Sequence, residues 1–162
     1  IIFCSPQQID EVMKILAQRE IIAHRFTEKE GVRPEKKYGG LSERDFLLEK
    51  FSEGKYQVLA AIKCLDEGID IPNAHTAILM SSSTNPREYI QRIGRVIRRS
   101  PGKEEALIYD IIVVPSLTNI PSEWMEIEKS IFEKELVRAI EIARNAINNA
   151  EALQMLYNVK TS

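Results

Sequence analysis

The sequence predicts an α/β domain, with a mostly parallel sheet covered by helices on both faces, followed by a helical extension. Short apolar runs alternate with helical segments over residues 1–115, as in right-handed β–α–β units. From about Pro121 onward residues that break helices are almost absent, which indicates long helices. We therefore expect two parts, an α/β domain over 1–115 and a helical extension over 116–162.

The composition excludes several classes of protein. The chain has 162 residues, of which 44% are hydrophobic and 28% charged, enough to bury a core. The net charge is −2, so a contact with nucleic acid must come from a local basic patch. Two cysteines, Cys4 and Cys64, are too few for a disulfide scaffold, and we expect both to be buried free thiols. No apolar run reaches the ~20 residues of a membrane span, so we expect a cytoplasmic protein.

The first β–α unit is predicted at the start of the chain. Ile1–Cys4 is an apolar run suited to a buried strand. Ser5 is expected to cap the following helix, with Pro6 at its first position and Gln8 as the capping-box partner. Apolar residues at helical spacing then predict one buried face, formed by Ile9, Val12, Met13 and Leu16.

The next elements follow the same alternation. Ile21–Ala23 is predicted as a second strand, and residues 27–40 as a polar loop that ends in two glycines. Ser42 is expected to cap a second helix, which stops at Gly54. Tyr56–Ile62 is apolar throughout, as is typical of a central parallel strand.

Two further strands and a helix complete the predicted domain. The strands are expected at His75–Met80 and Ala106–Val114, and the helix runs from Asn85 to about Arg99. In such sheets ligands bind at the carboxyl ends of the strands. We therefore look for a site in the loops after Cys4, Ile62 and Met80, and at the start of the helix at Asn85.

The segment 122–158 is predicted to form one long helix or two shorter ones. Its apolar residues alternate spacings of four and three, which gives a narrow seam of Leu136, Ile140, Ala143, Ile147 and Ala150. The narrowness of the seam favours packing on the α/β domain over binding a partner.

The helix over 86–99 carries the most informative pattern. Gln91, Arg95 and Arg98 stand at i, i+4 and i+7 and therefore share one exposed stripe. Ile90, Ile93 and Ile97 lie together on the side that faces the sheet, and Gly94 leaves room for close approach. One guanidinium group can bind two phosphate oxygens at once, and it stays charged at any ordinary pH, so the stripe suits a polyphosphate. The alternative is a solvated cationic face.

Two other segments suggest chemistry more weakly. Gly68 permits a turn after the central strand, and Asp70 could accept hydrogen bonds from a ribose or an arginine; the alternative is an ordinary turn aspartate. Gly39 and Gly40 precede a helix N-terminus, a geometry that can bind anions; the alternative is a tight turn.

Together these segments resemble the second RecA-like domain of superfamily 2 helicases and translocases, over residues 1 to about 115. Phe3-Cys4-Ser5 is similar to motif IV, and Tyr38-Gly39-Gly40 to motif IVa. Gly68-Ile69-Asp70 matches motif V, and the segment Gln91–Arg98 matches motif VI. The Cys64–Pro72 segment looks closest to the branch of restriction-associated, phage-type and repair helicases. The resemblance implies a RecA-like, three-layer α/β/α fold.

The resemblance also implies a shared ATP site. In such motors ATP and Mg²⁺ lie between two RecA-like domains, and the first domain holds both through its phosphate loop and Asp-Glu pair. The second supplies arginine fingers, here Arg95 and Arg98, which stabilise charge on the transferred γ-phosphoryl group. Gln91 would orient that region and couple it to nucleic acid, and Asp70 would contact the ribose or the finger helix from a loop shaped by Gly68.

Other motifs would contact nucleic acid. The resemblance places them along its backbone, where amides and helix N-termini meet phosphates, and the residues are Phe3, Cys4, Ser5, Gly39 and Gly40. Lys63 stands near the position where many relatives have a hydroxyl residue, and would replace that contact by charge. Motif VI begins with Gln91 rather than histidine, which favours DNA over RNA.

The sequence lacks a phosphate-binding loop and a following Asp-Glu box. We therefore expect a fragment of a longer protein whose N-terminal RecA-like domain is missing, and no ATP hydrolysis by these residues alone. One alternative is a stand-alone nucleic-acid-binding module without motor activity. A mononucleotide-binding enzyme is disfavoured because Cys4-Ser5-Pro6, rather than a glycine-rich loop, follows the first strand.

Overall fold

A computed structural model describes residues 1–62, 71, 74–80, 93–94, 102–115 and 121–161. Its strands are β1 (Ile2–Phe3), β2 (Ala23–Phe26), β3 (Val58–Ala61), β4 (Thr76–Leu79) and β5 (Leu107–Asp110). Its helices are α1 (Ile9–Gln18), α2 (Glu43–Ser52), α3 (Ser122–Arg144) and α4 (Asn149–Thr161), and a short 3₁₀ helix covers Lys36–Tyr38.

The chain divides into two compact units. The first comprises Ile1–Ser81 with Gln91–Tyr109, and the second comprises Ser82–Ile90 with Asp110–Ser162. The predicted boundary between residues 115 and 116 stays a prediction.

The described strands form one parallel sheet in the order β2-β3-β1-β4-β5, which confirms the predicted fold class. In β1, Ile2 is level with Ala60 of β3 and Ile78 of β4. The N–H of Met80 donates to the carbonyl of Phe3 across 2.9 Å, so β4 continues the ladder past the end of β1. The short β1 therefore lies at the centre of the sheet, flanked by both neighbours along its whole length.

The core of the first unit forms as the apolar pattern predicts. Ile9, Val12 and Leu16 of α1 pack against a cluster that includes Ile2 and Ala60. Burying each large aliphatic side chain contributes about 1.5–3 kcal/mol, so this face fixes α1 on the sheet. The strands themselves supply fully buried residues, namely Phe26, Leu59, Ala60, Ala77 and Leu79.

The start of α1 differs from the prediction. The N–H of Ser5 donates to Oε1 of Gln8 across 2.9 Å, which is the predicted reach of the capping-box partner. The N–H groups of Gln8 and Ile9 both donate to the Ser5 carbonyl, so residues 6–8 close a turn first. The regular helix begins at Ile9 and its N-cap is Gln8 rather than Ser5.

The second strand is also displaced. It spans Ala23–Phe26 rather than Ile21–Ala23. The N–H of Ile22 is taken by the side chain of Gln57 at 2.8 Å, and pairing with β3 starts at Ala23 opposite Val58. Phe26 is fully buried whereas Ile22 is exposed. The position of the strand is therefore set by burial of Phe26 rather than by the apolar run Ile21–Ala23.

The remaining elements of the first unit lie where they are predicted. The Ser42 hydroxyl accepts the N–H of Asp45 at 3.1 Å and caps α2, and Gly54, at φ 74°, follows the end of that helix. The strands β3, β4 and β5 fall inside their predicted apolar runs. Of the predicted helix at 85–99, only Ile93 and Gly94 are described; both are helical, and Ile93 is buried as expected.

The described residues of the second unit form two helices, α3 and α4, which pack against each other. Leu136 and Ala143 of the predicted seam are buried, together with Ala139. The seam is wrong at Ile147, which is 84% exposed, because α3 ends at Arg144 and this residue lies in the connection between the helices. Across the described residues, no helix is both long and apolar enough to cross a membrane.

Candidate functional site

The strands β1 and β3 end side by side. Phe3 is level with Ala61 of β3 and with Leu79 of β4, so these three strands stop at one edge of the sheet. The predicted motif IV begins at Phe3, the last residue of β1, and Ile62 follows β3 on the side of the predicted motif V. The parallel sheet therefore brings the start of both segments to the edge where such folds bind ligands.

Within motif IV, Phe3 and Cys4 are buried. The N–H of Cys4 donates to the carbonyl of Ala61 at 3.1 Å, and its Sγ lies 3.8 Å from the same oxygen. Burial raises the pKa of the Cys4 thiol, which keeps it neutral near pH 7. These two side chains are buried at the end of β1, and the contact of Phe3 and Cys4 with nucleic acid stays a prediction.

Ser5 is the residue of motif IV that reaches the surface, where it is partly exposed. Its N–H donates to Gln8 Oε1, and its carbonyl accepts the N–H groups of Gln8 and Ile9. Both backbone groups are therefore used inside the chain. The hydroxyl is the polar group of this segment that can serve a ligand.

Gly39 and Gly40 form a tight turn. Their φ angles are 68° and 89°, a left-handed backbone that L side chains rarely adopt. Their N–H groups donate to the carbonyls of Lys36 and Glu35, both at 3.1 Å. A Cβ built on either glycine meets no atom within 4 Å, so backbone conformation rather than crowding requires glycine here.

The N-terminus of α2 is filled by its own side chains. The Ser42 hydroxyl accepts the N–H of Asp45 and donates to Asp45 Oδ2 at 2.6 Å. Glu43 and Asp45 place two acidic groups in the first turn, which disfavours a phosphate at this position. The local geometry is thus that of the tight-turn alternative, and the contacts of Gly39 and Gly40 with nucleic acid stay predictions.

One carboxylate, for which the sequence pattern gives no signal, links the parts of the loop before α2. Glu43 accepts the hydroxyl of Tyr38 at 2.7 Å and the N–H of Gly31 at 3.0 Å. The Gly31 N–H and then the Tyr38 hydroxyl lower the pKa of Glu43, while the same bond raises the pKa of Tyr38. These residues are five and twelve positions from Glu43, and no helical or strand period links them.

Exposed cations stand beside the glycine turn. Arg33, Lys36 and Lys37 are all exposed. The Lys37 ammonium lies 4.6 Å from the centre of the Tyr38 ring and 3.2 Å from the Glu35 carboxylate, which raises the pKa of Lys37. A chain of mild overall acidity thus presents a local group of positive charge at this loop.

The predicted ATP-site residues lie outside the described residues. They are Gly68, Asp70, Gln91, Arg95 and Arg98, and Lys63 joins them from the predicted nucleic-acid contacts. Between them, Gly94 is described, and a Cβ built on it meets no atom within 4 Å. In the described part of the chain, no group of three or more histidine, cysteine or acidic side chains is placed to hold a metal ion.

Comparisons of sequence identify relatives. The family described as helicase conserved C-terminal domain matches residues 1–100. The DNA 3'-5' translocase XPB2 of Sulfurisphaera tokodaii is 40% identical over 70 residues, which are 43% of this chain and 16% of that protein. The ATP-dependent RNA helicase dbp8 of Aspergillus terreus is 30% identical over 98 residues, which are 60% of this chain and 17% of that protein. The chain thus spans about a sixth of the length of these curated relatives.

Solved structures share the fold. The C-terminal part of the Fun30 ATPase domain superposes with a TM-score of 0.60 at 19% identity, and the match covers 82% of this chain and 47% of the Fun30 chain. The C-terminal domain of the DEAD-box protein Dbp5 superposes with a TM-score of 0.51 at 21% identity, and the match covers 82% of this chain and 79% of the Dbp5 chain. These two structures show the fold alone. The match over residues 1–100 shows that the chain belongs to the helicase conserved C-terminal domain family, which confirms the resemblance to the second RecA-like domain of superfamily 2 helicases.

Proposed function

We propose that this chain is the second motor domain of an ATP-dependent helicase or translocase that acts on nucleic acid, with DNA favoured over RNA. The observation that supports this most is the family match over residues 1–100, on a parallel sheet whose strands β1 and β3 end at one edge. In this proposal the ATP site is completed by a first RecA-like domain, which holds most of the triphosphate and Mg²⁺.

The nucleic-acid contacts are proposed along this edge and the neighbouring loop. Ser5 would contribute its hydroxyl. The buried side chains of Phe3 and Cys4 would fix the backbone that carries it. Lys63, two positions after the end of β3 in the sequence, would add a positive charge. Gly39 and Gly40 let the backbone approach a strand closely, and the exposed Lys36 and Lys37 beside them attract its phosphates.

The chemistry is proposed for the motif VI helix. Arg95 and Arg98 would stabilise the negative charge that grows on the γ-phosphoryl group as it passes to water. Gln91 would orient the attacking region and couple it to nucleic acid. Asp70, on the loop shaped by Gly68, would contact the ribose or hold the finger helix in place. None of these residues needs to bind Mg²⁺, and the proposal assigns no metal ligand to this chain.

The preference for DNA rests on two supports. Gln91 stands where the RNA-helicase branch has histidine. The archaeal relative at 40% identity is a DNA translocase by name, although an RNA helicase is also similar at 30%. Turnover should therefore rise more with DNA than with RNA of the same sequence.

The test is Arg95→Ala in the protein that joins this domain to its phosphate-loop domain. We expect kcat for ATP to fall about 10³-fold with little change in KM, because the finger acts on transition-state charge. Arg99→Ala is the matched control, since it removes an equal charge just beyond the residues that match motif VI; its kcat should stay within about twofold.

ATPase rates are measured without nucleic acid and with single-stranded DNA, duplex DNA and RNA. An unchanged kcat in Arg95→Ala would contradict the finger assignment. A protein that binds nucleic acid but shows no ATP hydrolysis under any of these conditions would instead support the stand-alone binding module.

A further inference from the structure

The N-terminal half of α3 exposes a row of large apolar side chains. Trp124, Ile127 and Ile131 are 62%, 60% and 50% exposed. They are spaced by three and four residues, so at about 100° per residue they fall within roughly 60° of one another. We refer to these three residues as the Trp124 stripe.

The same side of α3 is in use farther along the helix. Arg138, four turns beyond Trp124, is 2% exposed and its Nη2 lies 2.6 Å from Oδ1 of Asp110. Glu135 accepts the N–H of Val113 at 3.1 Å. At about 100° per residue, both fall in line with the Trp124 stripe. The stripe therefore continues a side that α3 already uses to contact its own unit.

The stripe is distinct from the side of α3 that is buried by apolar packing. Leu136, Ala139 and Ala143 are buried, and they fall about 90–150° around the helix from the middle of the stripe. A helix needs a single apolar side to pack within its own unit. The second apolar side, with an exposed tryptophan at its start, has the i, i+3 and i+7 spacing of a helix that docks into a groove.

The charges around the stripe select the kind of partner. The segment Ser122–Glu135 holds five glutamates and two lysines, a net charge of −3. At helical spacing, Glu123 and Glu128 lie on opposite borders of the stripe. This charge repels nucleic acid, anionic membranes and a second copy of the same helix. A protein surface with an apolar groove bordered by lysine or arginine matches both its apolar and its acidic parts.

We propose that the Trp124 stripe binds a partner protein through such a groove, with Trp124 as the main anchor and Glu123 paired with a basic residue of the partner. Tryptophan is frequent among the residues that dominate binding energy, and rim charges mainly steer association. The proposal is independent of the proposed motor function, because it concerns the second unit and involves none of the motif residues.

Trp124 is the only tryptophan of the chain, so its fluorescence reports on the stripe directly. The whole chain is titrated with a synthetic helical peptide of leucine and lysine, with leucines at a and d positions. We expect a saturable blue shift, weakened by salt. Ile131→Asn should weaken the affinity about tenfold, and Val137→Asn, at a 54% exposed position on another side of α3, should change it less than twofold.

Three parallel measurements can overturn the proposal. They use a leucine–glutamate peptide of the same length, a single-stranded DNA oligonucleotide and vesicles rich in phosphatidylserine, and each should leave the emission unchanged. The proposal would be refuted if the two peptides bound with equal affinity, or if DNA or vesicles shifted the emission. It would also be refuted if Ile131→Asn left the affinity for the leucine–lysine peptide unchanged. Dimerisation by sedimentation that Ile131→Asn abolishes would refute it too. Far-UV circular dichroism verifies that each variant is folded.

Discussion

Two helices, α1 and α3, carry apolar residues at the same spacing but treat them differently. In α1, Ile9, Val12 and Leu16 are buried against the sheet. In α3, the Trp124 stripe is at least half exposed. Periodicity therefore determines which residues share a side of a helix, whereas burial requires another element that covers that side.

The two helices differ in their charges as well. In α1, Lys14 and Glu11 form an ion pair of 3.6 Å at the surface, with both side chains more than 60% exposed. In α3, the pair of Arg138 and Asp110 is withdrawn from water. Surface pairs contribute about 0–1 kcal/mol, whereas breaking a buried pair leaves an uncompensated charge. One helix is therefore held by apolar packing, and the other combines apolar packing with a buried charge pair.

The largest expected effect tests the charge that α3 buries. Arg138→Ala should lower the free energy of unfolding of the second unit by about 3–5 kcal/mol, because Asp110 keeps a buried charge without its partner. Arg144→Ala, at an exposed position in the last turn of the same helix, is the control and should cost less than about 1 kcal/mol. Urea unfolding followed by Trp124 fluorescence measures both. Equal losses in the two variants would show that the buried pair does not hold α3.

The next effect tests apolar packing in α1. Leu16→Ala should destabilise the first unit by about 2–4 kcal/mol, because it leaves a cavity against the sheet. Its neighbour Ile15 is 48% exposed, and Ile15→Ala should cost less than about 1 kcal/mol. Urea unfolding followed by far-UV circular dichroism provides the comparison. A larger loss in Ile15→Ala than in Leu16→Ala would mean that α1 packs through its other side.

The smallest effect concerns pH, and it should have opposite signs in the two units. Hydrogen bonds from Gly31 and Tyr38 lower the pKa of Glu43 below its ordinary 4.5, so the stability it contributes is present above pH 4.5 and lost as pH falls through the lowered value. Burial raises the pKa of Asp110 above 3.8, with Arg138 opposing the change, so its contribution is present below pH 3.8 and lost as pH rises through the raised value.

Urea unfolding between pH 3 and 7 tests both signs. The free energy of unfolding of the unsubstituted chain, relative to Glu43→Gln, should increase with pH across the acid range. Relative to Asp110→Asn, it should decrease with pH over the same range. Circular dichroism follows the first variant and Trp124 fluorescence follows the second. Parallel pH profiles for the two variants would contradict the assigned shifts.

Much of the fold follows from local signals that the sequence displays. The cap at Ser42, the stop at Gly54 and the apolar run around β3 each rest on residues within one element. The strand at Ala23–Phe26 does not, because its limits depend on a distant side chain, Gln57, and on the register with β3. Ile147 is similar, since its exposure depends on where α3 ends.

The candidate site was predictable in its motifs rather than in its geometry. The motif IV segment lies at the end of β1, and Phe3 and Cys4 are buried, both as the apolar run Ile1–Cys4 predicts. The turn that residues 6–8 close on the Ser5 carbonyl was not predictable from that run. The turn at Gly39 was predictable from composition, whereas the engagement of its N–H group by Lys36 was not. The roles of the motif V and motif VI residues remain predictions.

The carboxylate of Glu43 has a mechanical consequence. It belongs to the first turn of α2 and holds both Gly31 and Tyr38. If α2 tilts while these hydrogen bonds persist, the glycine turn therefore moves with the helix. If a strand of nucleic acid rests on that turn, a displacement of the helix becomes a displacement of the strand.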